Sequence, residues 1–101
     1  MDNYGYVIVN HIGKRALLEQ MAEEASELAQ AALKLIRAEY PENPTPIDET
    51  QAIANLVEEY TDVVQCAEYL RIYPDKHQMR AKAQRWAQRI GCAEKAHDYV
   101  L

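Results

Sequence analysis

The chain has only two cysteines, three glycines and four prolines in 101 residues, and no apolar run near the roughly 20 residues that a bilayer span requires. Each scarcity removes a class of protein. Cys66 and Cys92 show neither CxxC nor Cys/His ligand spacing, and a lone disulfide would be out of place in a helical intracellular domain, so both are expected to be reduced. The few glycines form no GxxxxGK phosphate loop, and no EF-hand loop, internal repeat or low-complexity tract is present. The opening MDNYGYVIVNHIGK lacks the basic start and apolar block of a secretory signal, which gives a cytoplasmic expectation. Positive charge is also in deficit: 11 Lys and Arg face 16 Asp and Glu, a net charge of -5 that argues against binding a nucleic-acid polymer. What is present, 49% apolar and 27% charged residues, suits one globular domain over 1–101.

Charge is segregated along the chain. Residues 19 to 27 hold Glu19, Glu23, Glu24 and Glu27 without a base, whereas residues 76 to 89 hold Lys76, Arg80, Lys82, Arg85 and Arg89 without an acid. Proline sets the layout, because Pro41, Pro44, Pro46 and Pro74 each disfavour an uninterrupted helix and leave three helical blocks. The first runs from about Lys14 to Glu39, with Gly13 marking its start and Leu17, Met21, Leu28, Ala32 and Leu35 forming an apolar stripe. The second starts at an Asp48 N-cap and ends before Pro74, with a stripe of Ile53, Leu56, Tyr60, Val63, Ala67 and Leu70. The third is capped by Asp75, stops at Gly91, and places Met79, Ala83, Trp86 and Ile90 on a core-facing stripe beneath a basic surface. The segment CAEKAHDYVL reads as a short further helix, and NYGYVIV as an extended segment. His11, His77 and His97 are isolated, which points to surface roles.

The fold class is therefore all-α, an antiparallel helical bundle. Helices of about 25 residues are roughly 38 Å long, more than a compact monomer of this size needs, so a homodimer or homotetramer is expected to complete the bundle.

Chemistry concentrates in EEASE (Glu23, Glu24, Glu27) and EEYTD (Glu58, Glu59, Asp62). Carboxylates at i and i+3 share one helix face, so Glu24 pairs with Glu27 and Glu59 with Asp62. A wheel at about 100° per residue puts Glu24 beside the Leu17, Leu28, Leu35 line and Glu59 in the same relation to the Val63, Leu70, Ala52 line. If these stripes face each other, four carboxylates converge at the rim of the core, where their repulsion demands a cation. Mg²⁺ or Mn²⁺ suits an all-oxygen donor set. Zinc is disfavoured without Cys or His at ligand spacing, as is a di-iron centre without Glu-x-x-His pairs. Glu19 lies off this face and is expected to be solvated, while Glu23 and Glu58 are either exposed or hold a metal-bound water.

Glu23-Glu24-Ala25-Ser26-Glu27 followed by Glu59-Tyr60-Thr61-Asp62 resembles the EExxE…ExxD signature of the all-alpha nucleoside triphosphate pyrophosphohydrolases, the MazG-like group related to dimeric dUTPases and phosphoribosyl-ATP pyrophosphohydrolases. The flanking QMAEEASELAQAALKLIR, LVEEYTDVVQCAEYL and KAQRWAQRI extend the likeness over residues 14 to 90. The resemblance implies an oligomeric helical bundle that uses Mg²⁺ to split a nucleoside triphosphate into monophosphate and pyrophosphate. It makes Glu24, Glu27, Glu59 and Asp62 the metal ligands, the same four that the wheel selects. It also sets Lys82 and Arg85 at the substrate phosphates. Asn55 stands where some members carry a lysine, so phosphate binding or substrate choice is expected to differ there. Only about a dozen residues precede Lys14, in a region that often contributes to the family's nucleoside pocket.

The corresponding mechanism is attack of an activated water on the alpha phosphorus with Glu23 or Glu27 as base, while Lys82 or Arg85 stabilises the leaving pyrophosphate. The alternative is a non-catalytic helical oligomer that binds metal or nucleotide or serves as an interaction module.

Overall fold

A computed structural model describes residues 1–40, 42 and 47–98. The helices in chain order are α1 (Asn3–Glu39), α2 (Glu49–Tyr69) and α3 (Lys76–Arg89), followed by a short 3₁₀ helix at Ala93–Asp98. No strand occurs among the described residues, and no helix among them is long and apolar enough to cross a membrane. Pro41, Pro44 and Pro46 lie outside the described residues, as does the side chain of His97; His11 and His77 are exposed. Cys66 and Cys92 are free thiols.

Each long helix starts at an aspartate. The carboxylate of Asp48 accepts the Gln51 N–H at 2.7 Å and that of Asp75 accepts the Gln78 N–H at 3.1 Å, satisfying one orphan donor at each N-terminus. Asp2 does the same for Gly5 at 2.8 Å, so the helix begins at Asn3 and the extended reading of NYGYVIV is corrected. Its tyrosines and β-branched residues have weak helical preference, but the cap and packing against the end of α2 outweigh it. Gly5 is buried there, and a Cβ on it would collide with Met1 and lie 3.0 Å from the Tyr69 ring. Gly13 is a break within α1 rather than its start, with φ 81° and ψ 175°. That conformation belongs almost wholly to glycine, and no atom lies within 4 Å of a Cβ built there, so the cost of a side chain is a backbone cost. Gly13→Ala is expected to lower unfolding free energy by about 1–3 kcal/mol in urea titrations. Unchanged stability would show that the break is not required.

At its far end α2 closes before Pro74. Arg71 takes the left-handed conformation at φ 58°, and the Arg71 and Ile72 N–H groups each donate at 2.9 Å to the Glu68 and Ala67 carbonyls. Gly91, at φ 75°, ends α3 in the same manner, with the Cys92 N–H on the Ala87 carbonyl at 2.8 Å.

α1 and α2 form an antiparallel hairpin: the Met1 amine is 3.8 Å from the Glu68 carboxylate near the end of α2, while Glu27 meets Glu59 farther down. Leu17, Ala31, Ala52 and Cys66 are the buried hydrophobics at its seam. Met21, Leu28, Leu35, Leu56, Val63 and Leu70 are half-buried, as their stripes require. Ala32 is exposed, and Ile53 and Tyr60 turn outward, 43% and 60% exposed, so the stripe read along α2 merges two separate faces.

α3 differs most from expectation. Among the described elements it packs on neither α1 nor α2 and touches the 3₁₀ helix alone. Its stripe is not core within this chain: Trp86 is 62% exposed, Met79 60% and Ile90 62%. The helix follows the Ile72–Asp75 link and leaves the outward apolar residues of α1 and α2, among them Leu18, Ile36, Val57 and Val64, exposed. The radius of gyration is 18.0 Å, against about 13 Å for a compact chain of this length.

Candidate metal centre

Antiparallel packing converts the shared helical phase of the two acidic motifs into proximity. Glu24, Glu27 and Glu59 each offer an oxygen, and these lie within 4.8 Å of one another. Glu24 and Glu59 are half-buried and Glu27 is exposed at the rim. Glu24 Oε1 accepts the Gln20 side-chain N–H at 2.7 Å. Its other oxygen, Glu24 Oε2, and Glu59 Oε2 are out of contact with solvent and have no hydrogen-bond partner. Two such acceptors beside a third carboxylate lack the partners that buried polar atoms normally find.

Protonation relieves part of the repulsion among the three. Gln20's amide pulls the Glu24 carboxyl downward, but desolvation and the charges of Glu27 and Asp62 outweigh it and the net shift is upward. Glu27 is raised first by the close approach of the Glu59 carboxyl and the repulsion of that neighbour's charge, then by desolvation and by Glu23. Among the described residues no lysine or arginine pairs with these acids; the one side-chain ion pair among them is Arg15–Glu19 at 3.2 Å, on the solvent side, which agrees with a solvated Glu19.

Asp62 lies beside the trio, its charge acting on Glu24, and lines the same cavity, but its carboxylate is outside the closest group. Glu23 and Glu58 are exposed. Asn55 is half-buried and its Oδ1 accepts the Gln51 side-chain N–H at 2.8 Å, so it is tied to its own helix. Lys82 and Arg85 are exposed on α3, and the chain's own fold does not bring them to the acids.

A cavity of about 240 Å³ opens beside the cluster, walled by Ile8, Ile12, Leu17, Cys66 and Tyr69, with Gln20, Gln65, Glu24 and Asp62 supplying its polar atoms. Gln65 Nε2 donates to the Tyr69 hydroxyl at 3.0 Å. The sequence reading passed over Ile8, Ile12, Gln20, Gln65 and Tyr69. Their only sequence signal is phase: Gln20 and Tyr69 sit one or two turns from an acid on the same flank, and no motif marks them. Ile8 and Ile12, which precede the Gly13 break in α1, line this space with Cys66 and Tyr69 of α2.

Cys66 faces the same space. Burial pushes its thiol upward, and the nearby charges of Glu24 and Asp62 add to the shift. Thiol-reagent titration of the folded protein is expected to modify Cys92 first and Cys66 only on unfolding, since the thiolate is the reactive form. Equal rates would contradict the buried position.

The donor set is all carboxylate, which fits Mg²⁺ or Mn²⁺ and disfavours zinc. The two orphaned oxygens are what a cation would satisfy. Comparison with known protein families, curated proteins and solved structures returned no match, so the site is read from its own geometry.

Proposed function

We propose that this chain is a Mg²⁺-dependent nucleotide pyrophosphohydrolase, splitting a nucleoside triphosphate into monophosphate and pyrophosphate. The observation that carries the reading is the pair of unpartnered, solvent-excluded oxygens of Glu24 and Glu59 facing Glu27. Such a group is repulsive alone and gains from a hard divalent ion, the ion that bridges protein acids to phosphates. The EExxE…ExxD spacing and its resemblance to the all-alpha pyrophosphohydrolases support the choice of substrate. So does an apolar cavity with amide groups, of a size to take a nucleobase, directly beside the acids.

In this reading Glu24, Glu27 and Glu59 would hold the ion, and the nearby Asp62 would add its charge to theirs. Bound Mg²⁺ or Mn²⁺ neutralises phosphate charge and activates water. Glu27 is committed to the cluster, which leaves Glu23, exposed one turn earlier, to accept the proton of the water that attacks the alpha phosphorus. The bond from that phosphorus to its bridging oxygen breaks and pyrophosphate leaves. Ile8, Ile12 and Leu17 exclude water from the base, and the Gln20 and Gln65 amides meet its polar edge. Lys82 and Arg85 serve the leaving group only where an α3, from this or another chain, lies over the acids.

The test is a panel of nucleoside triphosphates with Mg²⁺ and with Mn²⁺, read by pyrophosphate release. Release that requires the metal and vanishes in EDTA is expected for at least one substrate. Saturable metal binding with no turnover on any member would favour the non-catalytic binding reading instead.

A further inference from the structure

A second cavity, of about 410 Å³, lies on the other flank of the start of α1. At about 100° per residue, Tyr6 and Asn10 fall to one side of buried Gly5 and Ile8 and Ile12 to the other, so the two spaces flank this segment. Leu17 and Tyr69 belong to the wall of both. Their chemistry is opposite. Glu24 and Asp62 line the first space, whereas the second is lined by Lys14 and Arg71 and by no acid. Neither base is in an ion pair among the described residues, and the Glu68 carboxylate, near the same end of α2, lies 3.8 Å from the Met1 amine. Arg71 carries a further sign. It holds φ 58°, the left-handed conformation that glycine adopts at helix ends without steric cost, as Gly91 does after α3. A long side chain kept at such a position in place of glycine points, independently of the cavity, to use of its guanidinium.

We propose that this second cavity binds an organic phosphate monoester with an aromatic body, and does so without a metal ion. Charge sets the head group. Two cations on a wall without acids match a dianionic phosphate, whereas a carboxylate would leave one of them unmatched. Arg71 offers a planar fork of donors and Lys14 a mobile point charge, and both suit phosphate oxygens. The rest of the wall sets the body. The Tyr6 and Tyr69 rings and buried Leu17 give a flat planar group apolar surface, and the Asn10 amide supplies a donor and an acceptor for its edge. The volume is within the range of small-molecule sites, which combine such apolar walls with a few polar groups. This inference goes beyond the nucleotide reading and does not depend on it, since the second cavity uses neither a divalent ion nor any of the acids.

The test titrates a panel of nucleoside 5′-monophosphates, the parent nucleosides and inorganic phosphate into the full-length ¹⁵N-labelled chain in EDTA, followed by amide NMR spectra. Saturable shifts centred on Tyr6, Asn10, Lys14 and Arg71 are expected for at least one monophosphate, with an affinity at least about tenfold above that of its nucleoside or of phosphate alone. Lys14→Gln and Arg71→Gly are each expected to weaken that binding at least about tenfold, the scale of one lost hydrogen bond to a charged group. Arg71→Gly separates binding from folding: glycine suits the backbone there, so its Tm should be no lower than that of the unsubstituted chain. Glu24→Gln with Glu59→Gln should leave the affinity unchanged. The inference is overturned if no monophosphate gives a saturable shift, if inorganic phosphate binds as tightly, or if affinity survives both Lys14→Gln and Arg71→Gly. Binding lost in Glu24→Gln with Glu59→Gln overturns it as well, by placing the ligand at the acids. Absence of pyrophosphate release with this binding intact would count against the nucleotide reading alone.

Discussion

Glu24→Gln and Glu59→Gln are each expected to lower pyrophosphate release by at least about 100-fold, the scale seen when one group stabilising transition-state charge is removed. Each substitution keeps the shape of the side chain and removes the charge of an oxygen that now has no partner. The loss should fall mainly on kcat, since apolar contacts in the cavity would still hold the base. Asp62→Asn is expected to act in the same direction. Wild-type-like turnover in both Glu24→Gln and Glu59→Gln would remove these residues from the reaction. A fall of the same size in Glu19→Gln, whose carboxylate faces solvent and pairs with Arg15, would point to damage unrelated to the site.

The second large effect is on stability. Glu24 and Glu27 have carboxyl pKa values above the ordinary 4.5, so they bind protons more tightly folded than unfolded. The stability this gives is complete below the ordinary value and is lost as pH rises through the raised values. At neutral pH without metal, the cluster therefore costs stability. Glu27→Gln is expected to raise the metal-free Tm at neutral pH and to leave it little changed in acid. A divalent ion should reverse the balance in the unsubstituted protein. At 100 times its Kd, a ligand bound only to the folded state contributes about 2.7 kcal/mol. For a domain of this size that is on the order of 10 °C or more in Tm. Differential scanning calorimetry with and without Mg²⁺ should show the rise in the unsubstituted chain and its absence in Glu27→Gln. A metal-free Tm that falls on neutralising Glu27 would mean that the acids are stabilising without an ion.

The parts of this arrangement that were legible in the sequence are those fixed by local geometry. Asp48 and Asp75 could be recognised because an N-cap needs only a short acceptor ahead of a helical run, and both make that bond. Four acids were expected to converge from equal phase on two antiparallel helices, an inference that needs only the helical repeat; Glu24, Glu27 and Glu59 do meet, and the Asp62 carboxylate stands outside that closest group. Tertiary choices were not legible. NYGYVIV looked extended because its intrinsic preferences are weak; what makes it helical is an Asp2 cap together with the surface that Tyr69 offers to Gly5. Trp86 looked like core because periodicity tells which face of a helix is apolar and is silent on whether the same chain covers it. The outward turn of Tyr60 has the same origin: the apolar pattern of α2 is wide enough for two faces, and a single stripe drawn through it joined Ile53 and Tyr60 to residues of the seam. Gln20 and Gln65 carried no motif, and the cavity that they share with Ile8 and Ile12 forms only when α1 and α2 pack together.

The central claim is that three glutamates from two helices share one divalent cation, and the most direct measurement is Mn²⁺ titration followed by electron paramagnetic resonance. Loss of the free-ion signal with saturation is expected for the unsubstituted chain, competed by Mg²⁺ and abolished in Glu24→Gln with Glu59→Gln. A linear free-ion signal from the first addition, or saturation that survives both substitutions, would contradict it.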